Sequence, residues 1–523
     1  MKPRLLWIVV GCAFWGAAGR AQAAPPAPTI RAIVWKGDQA IPGATLIPRL
    51  RIVVGKPLRS DELKYSVSLI ASSYRDKGYY QVRVTTGIVT APDRQVDVHL
   101  TIDPGPLFHI GDIHVEGNKA ISEKIILRTL DVHRGDLFSQ SKIFEGNREL
   151  YMTGYFEAID IAYSTAAAHV IDMAIRVRER ATRYIKGGVG YGTQSKERVT
   201  IGYEDNNFLG NARRLDVTAT YSGFLTDPDH YRTTLLQTAL TQPHLFDTTL
   251  DGNTNVAREW ADRESYDSVS TAWLTSVGKR FNSAITASVR YRYQATRITN
   301  VSDQANTPGF TNISAVGPTF TFDKTNDPFL PSNGWRIIGT YEEGLRFVIG
   351  DVRFHKLESR VGRYDTPFGQ WTFFEGIQSG IIRPDSTSDH DIIPIYERYF
   401  IGGANTVRGY SERELGPRDS TGAPLGGNAF LVGNIETWHP LYKKLNGVLF
   451  LDGGQLYATP ANHVWPHADF RSINDFRYAT GFGFRLHSPV GAIRLEFGYK
   501  LNPQTGTGFF DRTAIHFSIG EVF

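Results

Sequence analysis

Beyond Thr182 the chain alternates polar and apolar residues with a period of two, and this alternation limits the fold more than any other feature. Leu215, Val217, Ala219 and Tyr221 interleave with Arg214, Asp216, Thr218 and Thr220. Phe482, Phe484 and Leu486 interleave with Gly481, Gly483 and Arg485, and Ile493, Leu495, Phe497 and Tyr499 with Arg494, Glu496, Gly498 and Lys500. A strand turns successive side chains to opposite faces, so each segment has one apolar, aromatic face and one face of charges and glycines. A soluble sandwich alternates in the same way with its apolar face inward, and length separates the two cases. About 340 residues, divided into membrane strands of roughly 10 residues plus turns, give about sixteen strands, an even number. The 24 Tyr, 30 Phe and 51 Gly against 3 Met suit such strands. No segment past the N-terminal leader has 18 consecutive apolar residues, so no transmembrane helix is expected, and a bilayer-spanning chain must then close into a barrel.

The leader is residues 1–23. Lys2 and Arg4 precede an apolar run from Leu5 through Phe14, and Ala21-Gln22-Ala23 places small residues for signal peptidase. The run is short of the roughly 20 residues of a spanning anchor. It continues past Cys12 instead of ending there, which argues against lipidation at that cysteine. Cys12 is the single cysteine, so a cleaved chain has no disulfide framework, thiol nucleophile or cysteine metal site. Lys2, Arg4 and Arg20 supply three of the positive charges behind a net +4, which leaves the remainder near +1. That excludes the basic field of a nucleic-acid partner.

Between the leader and Thr182 two segments, 24–104 and 105–181, repeat one order of elements, βααββ. In the first, Ile30–Trp35 reads as a strand, Ala44–Leu50 as a short helix weakened by Pro48, and Ser60 to about Asp76 as a helix N-capped by Ser60. Lys77-Gly78 ends that helix, and Tyr80–Thr86 and Val96–Ile102 are strands. In the second, Phe108–Glu116 is a strand, Ser122 and Ser139 open helices to Leu130 and about Met152, and Tyr155–Tyr163 and Val170–Val177 close the unit.

The run from Phe108 through Asn118 resembles the opening strand of a POTRA domain, and Gly154-Tyr155-Phe156 its helix-to-strand junction, which Lys77-Gly78-Tyr79-Tyr80 repeats in the first segment. The fold expected is therefore an all-β transmembrane barrel of about sixteen antiparallel strands over 182–523, preceded by two small α+β POTRA-like domains. Sixteen is also the strand number of the family described next.

Four motifs carry a resemblance to the outer-membrane barrel-assembly superfamily, which includes BamA, TamA and the two-partner secretion transporters. Ile401 to Tyr410 contains Val407-Arg408-Gly409-Tyr410, similar to the family motif at the tip of a long sixth extracellular loop that folds back into the barrel. Arginine suits such a tip because its planar fork engages carboxylates in a bidentate way, and Gly409 allows close backbone approach. Phe450–Gly454 and Gly433–Glu436 resemble the wall-strand motifs, and the resemblance implies that Asp452 and Glu436 face the lumen and hold Arg408. Asp323-Lys324-Thr325-Asn326-Asp327-Pro328-Phe329-Leu330-Pro331-Ser332-Asn333-Gly334 looks like a family periplasmic turn, in which two prolines fix φ and Gly334 supplies a positive one. Asp205–Ala212 resembles an early barrel hairpin.

The resemblance implies an assembly or translocation factor in the bacterial outer membrane, with its POTRA units in the periplasm, that takes unfolded outer-membrane or exported proteins and contacts outer-membrane lipid. Two POTRA units favour a shortened TamA-like protein, for which an inner-membrane-anchored TamB-like partner is one option. A secretion transporter with a dedicated exoprotein is the alternative. The seam joins the first strand, with Gly187, Gly188, Gly190 and Gly192, to the last, with Ile515, Phe517, Ile519 and the terminal Phe523. Interior glycines weaken a strand, as a lateral gate requires; they equally permit tight curvature or room for the loop. Enzymatic and cofactor readings find no support. No G-x-S-x-G motif precedes Thr182, and Asp389-His390-Asp391 reads as loop charge. His109 and His114 differ in parity on one strand and should face opposite sides, so no metal site is expected there.

Overall fold

The computed structural model describes residues 27–37, 40–193, 196–224, 232–301, 303–327, 331–346, 349–385, 392–457, 476–488, 491–503 and 508–519. The leader with Cys12, Pro328, Asp389-His390-Asp391 and Phe523 lie outside the described residues. The two POTRA-like segments fall in one compact unit except for Lys119–Ile125, which groups with the barrel in the other.

The first segment runs β1 (Thr29–Gly37), α1 (Gly43–Leu46), α2 (Ser60–Arg75), β2 (Arg83–Ala91), β3 (Gln95–Asp103). β3 lies in the middle of the sheet, parallel to β1 and antiparallel to β2. Ser66, Ile70 and Tyr74 recur at helical spacing and form the buried face of α2. Ile70 and Tyr74 pack on Ile30, Leu46, Ile52 and the inward residues Val98, Leu100 and Ile102 of β3. Ser66 Oγ accepts from the backbone N–H groups of Arg51 and Ile52 at 3.1 and 3.3 Å. It thereby satisfies donors that burial would otherwise leave without water. The helix is not capped by Ser60. Arg59 occupies the cap position in an extended conformation and makes no side-chain cap bond. Ser60 is already helical, which deprives its hydroxyl of the reach a cap needs.

The second segment repeats the order: β4 (His109–Glu116), α3 (Glu123–Leu130), α4 (Gln140–Met152), β5 (Phe156–Ala167), β6 (Val170–Glu179), with β6 central. Here the cap is present, Ser139 Oγ accepting from Lys142 N at 3.3 Å. Gly154 ends the helix at φ 74°. A bulge between Ile110 and Ile113 inserts one residue in β4. Parity therefore reverses along the strand, and His109 and His114 are both exposed on it, not on opposite sides as period two alone predicts. Among the described residues no group of His, Cys, Asp and Glu is placed to hold a metal.

In each sheet the first strand is partly covered by its own chain. Ile30 N bonds Lys56 O at 2.9 Å, and Ile110 N bonds Asp136 O at 2.8 Å. β2 and β5 form the opposite edges. The two segments meet through aromatic rings: Tyr80 lies 5.7 Å from Phe108, 5.0 Å from Phe138 and 6.1 Å from Tyr163, centroid to centroid. Phe108 N also donates to Gly78 O at 2.9 Å, and Ser141 N to Asp76 Oδ1 at 2.7 Å.

Sixteen antiparallel strands close the barrel. They are β7 (Arg183–Gly192), β8 (Lys196–Asp205), β9 (Arg214–Gly223), β10 (Thr233–Gln242), β11 (Asp251–Asp262), β12 (Asp267–Arg280), β13 (Ile285–Thr299) and β14 (Phe310–Asp323). The wall continues as β15 (Gly334–Gly344), β16 (Phe354–Phe368), β17 (Trp371–Pro384), β18 (Ala429–Tyr442), β19 (Leu445–Tyr457), β20 (Arg477–Ser488), β21 (Gly491–Lys500) and β22 (Thr513–Ile519). The apolar face points outward. On β19 Leu449 and Leu451 are exposed while Phe450 and Asp452 are buried, the reverse of a soluble sandwich.

The Asp323–Gly334 segment forms the turn from β14 to β15. Asp323 accepts from Thr325 N at 3.0 Å and from Arg336 Nε at 2.7 Å. Asp327 lies in this turn and Pro331 is buried within it. Gly334 has φ 112°, and a Cβ there would run into the carbonyl of Lys324.

Candidate functional site

The long connection between β17 and β18, the eleventh and twelfth barrel strands, returns into the lumen. A chain segment buried there loses water and must find partners in the wall. Its tip is held at Val407-Arg408-Gly409-Tyr410. Val407 and Tyr410 are buried in an apolar cluster with Ile401, Leu415, Val432 and Ala479. Arg408, 3% exposed, makes the ionic contact. Its Nε and Nη2 donate to Asp452 Oδ2 and Oδ1 at 2.8 and 2.6 Å, a bidentate fork, and its own backbone N–H adds a third bond to Asp452 at 3.0 Å. Nη1 reaches Glu436 Oε1 at 2.6 Å and Glu496 Oε1 at 3.6 Å. The guanidinium carbon stands 3.7 Å from the ring centroid of Phe450, a cation over an aromatic face.

The supporting shell comes from alternate residues of adjacent strands. Arg485 of β20 bridges Glu436 and Glu496 at 3.0 and 2.6 Å. Asn434 of β18 donates to Asp452 Oδ1 and to Thr406 O, both at 2.8 Å. Two arginines thus meet three carboxylates in a buried network, so removing a single member leaves charge uncompensated. The tip backbone lies close to the wall. A Cβ on Gly409 would stand 2.5 Å from that of Ala479, and one on Gly498 would overlap the carbonyl oxygen of Arg408. Gly498 is thus the notch that admits the tip, and it pairs directly with Gly481, where a Cβ would run into the Phe450 ring that lies under the guanidinium. His516 of β22 donates from Nε2 to that same Arg408 carbonyl at 2.7 Å.

A second cluster holds the base of the connection against the opposite part of the wall. Glu397 is 4% exposed and takes Arg292 of β13 in a fork at 2.7 and 3.2 Å, with Lys356 of β16 at 3.3 Å. Arg292 also bonds Glu342 of β15 at 3.1 Å. Burial acts to raise the Glu397 carboxyl, but Arg292 and Lys356 override it and hold the group down at about 2.

The seam between β7 and β22 is the thinnest junction. Among the described residues it pairs at two positions, Ser518 with Gly192 and Ile519 with Tyr191. Every other neighbouring pair of barrel strands runs in register over seven positions or more. Thr193 N adds a bond to Phe517 O at 2.9 Å, and the rings of Tyr191 and Phe517 lie 6.1 Å apart. Ile515 points outward and is exposed. A Cβ at Gly187 or Gly188 would meet no atom within 4 Å, so neither glycine makes room for the loop. Gly190 is half-buried and Gly192 buried.

The structure therefore brings Arg408, Asp452 and Glu436 together; of the turn residues, Asp323, Asp327, Pro331 and Gly334 lie at the β14–β15 connection, and Gly187, Gly188, Gly190 and Gly192 lie on β7. Sequence reasoning missed Glu496, Arg485, Asn434, His516 and the whole Glu397 cluster. Parity already put Arg485 and Glu496 on the polar face of their strands. Glu397 carries no comparable signal, because an irregular connection has no period.

Comparisons with known proteins agree with this architecture. Residues 207–523 match the family described as the Omp85 superfamily domain. Residues 28–105 and 108–180 each match POTRA, described as a surface antigen variable number repeat. The outer membrane protein assembly factor BamA of Nitratidesulfovibrio vulgaris is 26% identical over 480 residues, 88% of this chain and 57% of that protein. The chain thus spans little more than half the length of that relative. Among solved structures, Haemophilus ducreyi BamA lacking POTRA domains 1–3 superposes with a TM-score of 0.68 at 18% identity, covering 94% of this chain and 99% of that one. CdiB from Acinetobacter baumannii superposes with a TM-score of 0.54 at 12% identity, covering 95% and 90%.

Proposed function

Because the chain belongs to the Omp85 superfamily, as an outer-membrane barrel with POTRA domains on the periplasmic side, we propose that it receives unfolded proteins on its POTRA units and inserts them into the outer membrane through the β7–β22 seam. The observation that carries this reading is the seam, which pairs at two positions among the described residues. The described positions of this ladder hold few backbone bonds to break, and the strand on its β7 side is weakened by interior glycine. Opening it exposes unpaired N–H and C=O groups that a client strand can satisfy without demanding a sequence.

The POTRA edges supply the receiving surface. β2 and β5 lie at sheet edges, and Ile88 and Val89 of β2 are half exposed. An extended client adds to such an edge by backbone pairing. The reading is mechanical: Arg408 and Arg485 pair with Asp452, Glu436 and Glu496, and the paired groups hold a loop. The same proposal extends to a shortened TamA-like factor with an inner-membrane-anchored TamB-like partner, which co-purification on the POTRA unit alone would test.

The deciding experiment reconstitutes the protein in liposomes with Gly192→Cys and Ser518→Cys, adds an unfolded small outer-membrane barrel, and follows its folding by heat-modifiable gel mobility. Acceleration that disappears on oxidation and returns on reduction is the expected result. Acceleration that survives a locked seam rejects the lateral gate. Protease-protected passage of an unfolded exoprotein without acceleration moves the chain to the transporter alternative.

A further inference from the structure

We propose that His516 is a positioning residue that couples the seated tip of the long lumenal loop to the seam, so that release of Arg408 loosens β22 against β7. The inference rests on the lateral-seam reading and adds to it the element that controls the seam.

Three observations converge on this side chain. First, His516 Nε2 donates to the carbonyl oxygen of Arg408 at 2.7 Å, and the ring is 8% exposed. While the tip is seated, a buried donor of this kind has no water competing for its acceptor. Secondly, His516 and Ser518 lie two residues apart on one strand and share its inward face, both buried. Ser518 is one of the two residues that pair with β7. A displacement of His516 is therefore transmitted along two strand residues to half of the seam's described register. Thirdly, His516 is the register partner of Glu496, a carboxylate that Arg408 and Arg485 both approach. The imidazole thus stands between the ionic cluster and the seam. A small cleft at this point is lined by Ala404 of the loop, by Gly192 of β7 and Thr193 just beyond it, and by His516 and Ser518. Loop, last strand and first strand meet around one residue.

The arrangement requires an acceptor at one exact height on the wall, and the notch at Gly498 sets that height. A side chain there would push the Arg408 carbonyl away from the ring. The bond is consequently made when the tip is fully seated and lost when it is not. Among the described residues the ladder it acts on pairs at two positions, and this hydrogen bond stands beside one of them.

The test uses the full chain in liposomes with Gly192→Cys and Ser518→Cys, and reads the rate of disulfide formation under mild oxidation. Folding of each variant is verified by heat-modifiable mobility. Breaking the latch with Arg408→Ala, or with the milder Asp452→Asn should the first fail to fold, is expected to slow closure by about tenfold, within the usual range for coupled sites. His516→Leu should slow it comparably, and the combination should add nothing. His516→Gln, whose amide can donate to the same carbonyl, should restore both the rate and its sensitivity to the latch. Effects of latch and His516→Leu that multiply, or a seam rate unchanged in His516→Leu, would overturn the proposal. Client insertion is not part of the readout, so an inactive insertase with an intact coupling and an active one without it are told apart.

Discussion

The pocket around Arg408 and the β7–β22 junction lie on one stretch of wall, and they hold the chain by different means. The pocket uses buried charge, five hydrogen-bonded ionic groups and a backbone notch, to fix a loop that has no ladder of its own. The junction has strands suited to a ladder and pairs at two described positions. A closed sheet normally spends its hydrogen bonds evenly around the ring. Here holding strength has moved from the ring's edge to its interior, and His516 is where the two meet. The lesson is that barrel closure and barrel plugging are separate structural problems, solved by different chemistry.

The sharpest way to break this contrast is Arg408→Ala. It leaves Asp452, Glu436 and Glu496 buried without their central arginine, and a loss of about 3–5 kcal/mol is expected, read as a lower temperature of the heat-modifiable transition. Arg408→Lys should recover a minor part, because a point charge cannot form the fork. Glu397→Gln comes next, at about 2 kcal/mol, with protease access gained at the base of the loop and not at its tip. Its charge also has a pH signature. The carboxyl is held at about 2 against an ordinary 4.5, so the contact is at full strength above the ordinary value and fades as pH falls towards 2. Protection of the loop base should accordingly persist at pH 5 and decline progressively towards pH 2. Gly498→Ala, which fills the notch beneath the Arg408 carbonyl, should cost about 1–2 kcal/mol and raise clipping at the tip. Gly187→Ala should have the smallest effect on stability, a gain below about 1 kcal/mol, since its Cβ enters open space. Slower client folding in that variant would sharpen the contrast, and an unchanged rate would assign the glycine to curvature alone.

The barrel was legible because membrane strands obey a two-residue period, and the same period places Asp452, Glu436, Arg485 and Glu496 on inward faces. The POTRA-like units were legible from repeated junctions such as Lys77-Gly78-Tyr79-Tyr80. What escaped was set by single residues that shift a pattern. Arg59 takes the cap position expected of Ser60 without a capping side chain. One inserted residue between Ile110 and Ile113 reverses the parity that separated His109 from His114. Glu397 and His516 escaped for another reason: their partners are fixed by how a loop crosses a lumen, a distance in space that no spacing along the chain encodes.

The ring contacts between the two POTRA-like segments have a consequence for capture. Tyr80, packed among Phe108, Phe138 and Tyr163, joins the sheets that carry β2 and β5 into one compact body. On the capture reading proposed above, two edges so joined would act as a bivalent receptor. A polypeptide paired along one edge experiences the other at an effective concentration set by the intervening length of polypeptide, on the order of millimolar for a short flexible segment. Weak, sequence-tolerant binding at each edge then adds up to prolonged retention, while either edge alone releases quickly.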